Sequence, residues 1–448
     1  MIVVTVLLLL AAGSIVTPVW AAGGTRSFSK ILAGQSDFRA TSIQQTADGG
    51  FIIAGDNSSL SGFPSQVWLL RLAPNGAIVW QKAYGTPGLT SFPFLIGPKV
   101  KPTLDGGFVV VSSKDLSPAT IAAWVFKVDQ NGNFVWQKAF TGTGNATGIS
   151  IDVASDGGSL VAGSTIGFGR IPSGGLVIRL DPIGNVMWQK TYAGFGRAEA
   201  LSIRETHDGG SILSGAVLDY PNKAWLLKLD ASGAIVWQQT YSSGTSDNSF
   251  SSAQETSDEG FVATGITISH TVPVGTGASA LVVKLDHTGS ITWQKIYSGT
   301  GSFSAATSIQ QTSDGEYLLT GYTGPSFNGL IIRLDSLGDI VWQKSFSVSS
   351  QSLSTAIAVQ QTSDGGFAVA GDTGPAIPGI FTQALVMKLT AKGEIHHCGD
   401  LTTSNLMAAK ASTTATSVTG VATDIATAPI ITAFVAQPTS ATETTVCR

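Results

Sequence analysis

Charge is scarce in this chain. Only 12% of its 448 residues are Asp, Glu, Lys or Arg, against about 25% in an ordinary soluble protein. The net charge is −4 and no Lys/Arg cluster stands out, so a surface that tracks a phosphate backbone is excluded and no nucleic-acid partner is expected. Helical periodicity is missing, whereas short strand-like runs are common; the chain reads as all-β. Histidine is sparse, at His207, His270, His287, His396 and His397, on unrelated positions. There is no His-Glu-x-x-His, nucleophile elbow, phosphate loop or acidic metal cluster. The sequence therefore assigns no catalytic residue, no cofactor and no metal. His396 and Cys398 could share one face of a strand, but no further ligand completes a set.

Cysteine is limited to Cys398 and Cys447. Long apolar runs are limited to one, Ile2 to Val19, ending in Val19-Trp20-Ala21-Ala22-Gly23. An apolar run before small residues has the form of a secretory signal, here without Lys or Arg ahead of it. Residues 1–22 are expected to be a signal peptide or an N-terminal anchor. The place of action is then extracellular, the cell surface or the periplasm, with membrane contact only if the segment stays uncleaved. In an oxidising compartment, Cys398 and Cys447 are expected to form a disulfide that tethers the tail.

What the chain has in plenty is glycine, 53 residues of it, and much of it repeats. Asp-Gly-Gly turns, or close variants such as Asp258-Glu259-Gly260, recur at Asp48, Asp105, Asp156, Asp208, Asp258, Asp314 and Asp364, 50 to 57 residues apart (258 − 208 and 105 − 48). A second phrase ends in Trp-Gln-Lys or a variant at Trp80, Trp136, Trp188, Trp237, Trp293 and Trp342. Each unit holds four strand-like segments; in the first they are Ser42–Thr46, Phe51–Gly55, Trp68–Leu72 and Ile78–Lys82. A period near 50 with four strands per unit is a propeller blade. The fold expected over residues 23–400 is a seven-bladed β-propeller of four-stranded antiparallel blades. Phe28-Ser29-Lys30-Ile31-Leu32 matches Trp80 to Tyr84 in register, because Lys30 stands 16 residues before Thr46, as Lys190 does before Thr206 (46 − 30, 206 − 190). Residues 26–32 are therefore expected to close the ring as the outer strand of the last blade, whose Trp-Gln-Lys position reads His396-His397-Cys398. Residues 401–448 form a Thr/Ala/Ser-rich tail.

The repeated residues have structural explanations. Asp and Gly suit tight turns. One Trp per unit is expected to fill the wedge between blades. The basic residue of the third strand (Arg71, Lys127, Arg179, Lys228, Lys284, Arg333, Lys388) is expected to pair with an acidic group or a carbonyl. Function is expected where the copies differ. All constant turns fall on one face; length varies on the other, where second strands pass to third and each unit passes to the next. Phe63, Phe92, Phe94, Phe168, Tyr220, Phe303 and Phe327 lie in those loops among small polar residues. Such aromatics suit a protein, peptide or glycan ligand.

The phrase Leu285-Asp286-His287-Thr288-Gly289-Ser290-Ile291-Thr292-Trp293 resembles the tryptophan-docking repeat of quinoprotein-dehydrogenase propellers. Residues 26–400 also resemble the delta-60-type repeats of secreted bacterial and archaeal propellers. The resemblance implies the fold. The quinoprotein family's calcium-holding Glu/Asn/Asp set and adjacent Cys pair have no counterpart here, so it implies no cofactor. The expectation is an exported, monomeric, non-enzymatic binding or surface-interaction scaffold. The alternative is a propeller enzyme, either a quinone-dependent oxidoreductase or a polysaccharide-active enzyme.

Overall fold

The computed structural model describes residues 27–395, apart from stretches of the loops (the longest is 86–96). Beyond residue 400 it describes the backbone of six short strands. The apolar N-terminal run, His396, His397 and Cys398 lie outside the described residues, as do Phe63, Phe92, Phe94 and Phe168.

Seven antiparallel sheets form a ring, each a meander in which neighbours in sequence are neighbours in space. Blade 1 is β2 (Asp37–Gln45), β3 (Phe51–Ser58), β4 (Ser65–Leu72) and β5 (Ile78–Tyr84). Blades 2 to 6 repeat this pattern over residues 99–140, 145–193, 198–242, 247–298 and 304–346. Blade 7 takes three strands from residues 352–389 and its fourth, β1 (Phe28–Ala33), from the start of the described chain; β1 pairs antiparallel with Gln383–Leu389, Phe28 opposite Lys388. The N-terminal strand thus closes the ring. Wedges between blades supply the core: one joins Ile52, Leu69 and Tyr84 of blade 1 to Phe108, Trp124 and Phe126 of blade 2.

The Asp-Gly turns are pinned from within their own blades. Asp48 accepts from the Thr46 hydroxyl and the Gly50 N–H, while Gly49 holds φ at +81°. All seven basic residues of the third strands reach back to these carboxylates. The pairs are Arg71–Asp48, Lys127–Asp105 and Arg179–Asp156 at 2.6 Å, Lys228–Asp208 at 2.8 Å, Lys284–Asp258 and Lys388–Asp364 at 2.9 Å, and Arg333–Asp314. The cation lies buried and the carboxylate partly exposed, so each pair closes the end of a blade.

The repeated tryptophans pack against the core clusters between blades, as Trp80 does beside Phe108 of blade 2, and each also covers a turn of the next blade. Each indole lies across the glycine that ends the turn between the next blade's third and fourth strands, as in Asp181 to Gly184 or Thr390 to Gly393; a Cβ on Gly184, for example, would come within 2.8 Å of Trp136. The Trp80 Nε1–H donates to the Gln130 carbonyl (3.0 Å), and Trp188, Trp237 and Trp293 do the same to Ala231, His287 and Ser336. These rings are only half-buried, because the indole N–H needs an acceptor and finds it at the turn surface. Trp68, Trp124 and Trp225 of the third strands, outside the motif, are the fully buried ones. At the closing seam Phe28 replaces the indole and contacts Gly76.

The tail is built into the blades. Its strands Leu401–Thr403, Met407–Lys410, Thr414–Ser417, Val421–Asp424, Ala436–Pro438 and Thr442–Cys447 pair antiparallel with the outer strands of blades 6, 5, 4, 3, 1 and 7 in turn. It circles the rim against the order of the blades. Leu401, Ala408, Ala415, Ala422, Ala436 and Glu443 stand opposite equivalent outer-strand positions, Phe346, Tyr297, Tyr241, Tyr192, Tyr84 and Leu32. The step is seven residues per blade, doubled across blade 2. Seven extended residues span about 23 Å, so one step carries the tail from one outer strand to the next.

Candidate functional site: the central channel

The seven inner strands line a channel. A bulge in most of them re-aims one residue toward it, as at Thr41 between the paired Ala40 and Ser42. The bulge brings the inner strand so close to the second strand that a Cβ on Gly55 would fall 1.7 Å from the Arg39 carbonyl oxygen. Gly163, Gly215, Gly265, Gly321 and Gly371 meet the same restriction. Glycine recurs there because nothing larger fits.

At the turn face the channel opens into a cavity of about 580 Å³. One inner-strand position supplies a residue per blade: Gln44, Lys101, Asp152, Arg204, Gln254, Gln310 and Gln360. The next position links the blades. Glu205, Glu255, Gln311, Gln361 and Gln45 each accept a backbone N–H from the preceding blade's turn, at Ser155, His207, Ser257, Ser313 and Ser363. Pro102 and Val153 occupy that position in blades 2 and 3 and have no acceptor there. Blades 2 and 3 are instead joined by charge, with Asp152 held by Lys101 at 2.9 Å; Arg204 of blade 4 reaches the same carboxylate at 3.5 Å.

Below this mouth lies a throat of about 80 Å³. Lys99, Lys101 and Arg204 line it with hydroxyls that include Ser42, Ser150, Ser202, Ser252 and Ser308. The Lys99 ammonium donates to the Thr41 carbonyl at 2.7 Å. Burial, then repulsion from Arg204 and Arg39, draws its pKa down to about 8. Burial and Arg204 bring Lys101 to about 8 as well, although Asp152 opposes them. Against burial, Lys101 and Arg204 hold the Asp152 carboxyl below its ordinary range.

The channel's other end, on the variable-loop face, is a cavity of about 190 Å³ whose lining includes Ile149, Leu201, Ile266, Ile357 and Tyr322. Tyr322 belongs to an aromatic trio. Its ring stacks on Phe303 (5.7 Å, 9° between planes), and Phe327 lies 5.4 Å from Tyr322 and 5.7 Å from Phe303. Of the aromatics picked out by sequence, Phe303 and Phe327 therefore come together. Tyr220 is 86% exposed and packs instead on His270, at 5.4 Å. Sequence reasoning missed Tyr322, yet it is the aromatic at a second-strand position where other blades carry Asp56, Ser113, Ser164, Ala216, Ile266 and Asp372. Lys101, Asp152 and Arg204 were equally visible as departures from a column of glutamines.

The closing seam on the same face holds a buried ionic group. Arg39 bonds Asp56 through Nε (3.0 Å) and Nη2 (2.8 Å). Thr355 donates to Asp372. Burial raises Asp372 to about 7; Arg39 opposes this and Asp56 adds to it. Burial raises Asp56 too, against the pull of Arg39. Among the described residues, no group of three or more His, Cys, Asp and Glu is placed to hold a metal ion.

Fold and channel together define a seven-bladed β-propeller. No protein-family model matches the chain. No curated protein matches it in sequence. Solved structures do match in shape. The polysaccharide lyase Uly1 is 10% identical with a TM-score of 0.50, over 79% of this chain and 90% of that one. A protein of unknown function from Dyadobacter fermentans is 14% identical with a TM-score of 0.45, over 81% and 98%. An α-L-arabinofuranosidase from Fusarium graminearum is 10% identical with a TM-score of 0.45, also over 81% and 98%. At such identities the likeness extends to fold alone.

Proposed function

We propose that this propeller is an exported, non-enzymatic binding scaffold that recognises a glycan or peptide at the variable-loop face. The supporting observation is the Phe303–Tyr322–Phe327 trio beside the apolar end of the channel. Stacked aromatic faces bordering an apolar recess suit the apolar face of a sugar ring or a peptide side chain. Tyr220, on a blade 4 loop of the same face, is a further exposed aromatic. The mature protein acts as a monomer outside the cytoplasm, with Cys398 and Cys447 bridged; this part rests on the Ile2–Val19 run and the cysteine count.

The test is binding to glycan and peptide arrays by the wild type and by a Phe327→Ala/Tyr220→Ala double variant, both partly exposed positions. Loss of two such rings is expected to weaken a captured ligand at least about tenfold, as buried aromatic anchors do. Capture unchanged in the variant would remove Phe327 and Tyr220 from recognition. Turnover of a polysaccharide by the wild type would replace binding with the enzymatic alternative.

A further inference from the structure

The throat of the channel concentrates positive charge that the rest of the fold does not use. Lys99 and Lys101 both come from β6 (Lys99–Pro102), the short inner strand of blade 2. They occupy two successive channel-facing levels. At the upper level Lys101 and Arg204 share one carboxylate, Asp152. At the lower level Lys99 stands in a ring whose other members are Ser42, Ser150, Ser202, Ser252, Ser308 and Ala358. Its ammonium contacts a neutral carbonyl, and its charged surroundings are Arg204 and Arg39. Lys99, Lys101 and Arg204 against Asp152 leave a net charge of +2 at the throat.

The serines around Lys99 are oriented to help. Ser150 and Ser252 accept backbone N–H groups from the next blade, at Ile203 and Ile309. A hydroxyl that accepts there still has its own proton to give. We propose that the throat binds a free divalent tetrahedral oxyanion of the sulfate or phosphate type, between Lys99, Lys101 and Arg204, with serine hydroxyls completing its shell. Size agrees: about 80 Å³ has room for one small ion. Charge agrees too, because two negative charges balance the excess. The anion would join blade 2 to blade 3, where Val153 interrupts the turn-to-turn link, and both to Arg204 of blade 4.

The experiment is calorimetric titration of the full chain with sodium sulfate at low millimolar concentration, in sodium chloride of matched ionic strength. Saturable binding near one ion per chain is expected. Charge-assisted contacts of this kind are worth enough that Lys99→Met, with its β spectrum intact, should weaken binding about tenfold or more. Lys99→Arg should retain it. No saturable binding to the wild type, or binding unaltered in a folded Lys99→Met protein, would overturn the proposal. Should Lys99→Met fail to fold, selenate soaked into crystals of the unaltered chain reads the site by anomalous scattering. A peak among Lys99, Lys101 and Arg204 supports the proposal; a peak only elsewhere, or none, overturns it.

Discussion

Asp105 and Asp372 are the same residue in opposite situations. Asp105 sits in an open turn, where the Lys127 ammonium and then the Thr103 hydroxyl bring its pKa down to about 2. Asp372 lies in the closing seam, where burial raises it to about 7 despite Arg39. The sign of its effect follows. A carboxyl whose folded pKa lies above its unfolded value of about 3.9 contributes stability that is fully present below that value and is lost as pH rises through the folded one. The seam should therefore weaken between pH 4 and 8, by an amount on the order of 2–4 kcal/mol. Urea midpoints across that range should fall in the wild type and stay level in Asp372→Asn; equal slopes would contradict the assignment. The turn carboxylates were legible in the sequence because each turn and its basic partner recur in register in every unit. The state of Asp372 was not, because it depends on Arg39 and Asp56, more than 300 residues away in sequence.

At the scale of the element, the outer strands matter most. An outer strand with nothing beside it presents a row of unpaired backbone groups, a template for pairing with another chain. In six of the seven blades that edge is covered by the tail, or in blade 7 by the tail pairing with β1. A chain ending at Asp400 should keep its β-sheet spectrum and self-associate, with an apparent mass that rises with concentration in light scattering. A monomer at all concentrations would show that the tail strands do not protect the edges. The sequence shows the tail as a Thr/Ala/Ser-rich segment (a stalk, a disordered stretch or an extended segment lying on the propeller) without its individual strands, since small residues carry little strand signal. A clue was nonetheless present: Ala408, Ala415, Ala422 and Ala436 follow the seven-residue step. That step has meaning only once the spacing of the blades is known.

For the whole molecule, closure rests on β1, which is held between Gln383–Leu389 and Thr442–Cys447. Its pairings span almost the full chain, and such non-local contacts form late because loop closure must be met first. Deleting residues 27–33 should leave an open ring: faster amide exchange in blades 1 and 7, and a larger hydrodynamic radius on gel filtration. Unchanged exchange at both blades would assign closure to some other contact. The ring was legible because seven copies with a partial eighth permit little else; the channel was not, because its lining combines one residue from each of seven distant strands. The position of β1 also sets an orientation. Phe28 and Cys447 lie at the same end of the outer strands of blade 7, the end at which Phe28 touches the Gly76 turn of blade 1. Phe28 and Cys447 therefore share one corner, on the face of the constant turns. If the segment before residue 27 is a membrane anchor, the molecule hangs by that corner: the constant turns and the wide polar mouth look toward the bilayer, and the aromatic trio points outward, to whatever approaches the cell.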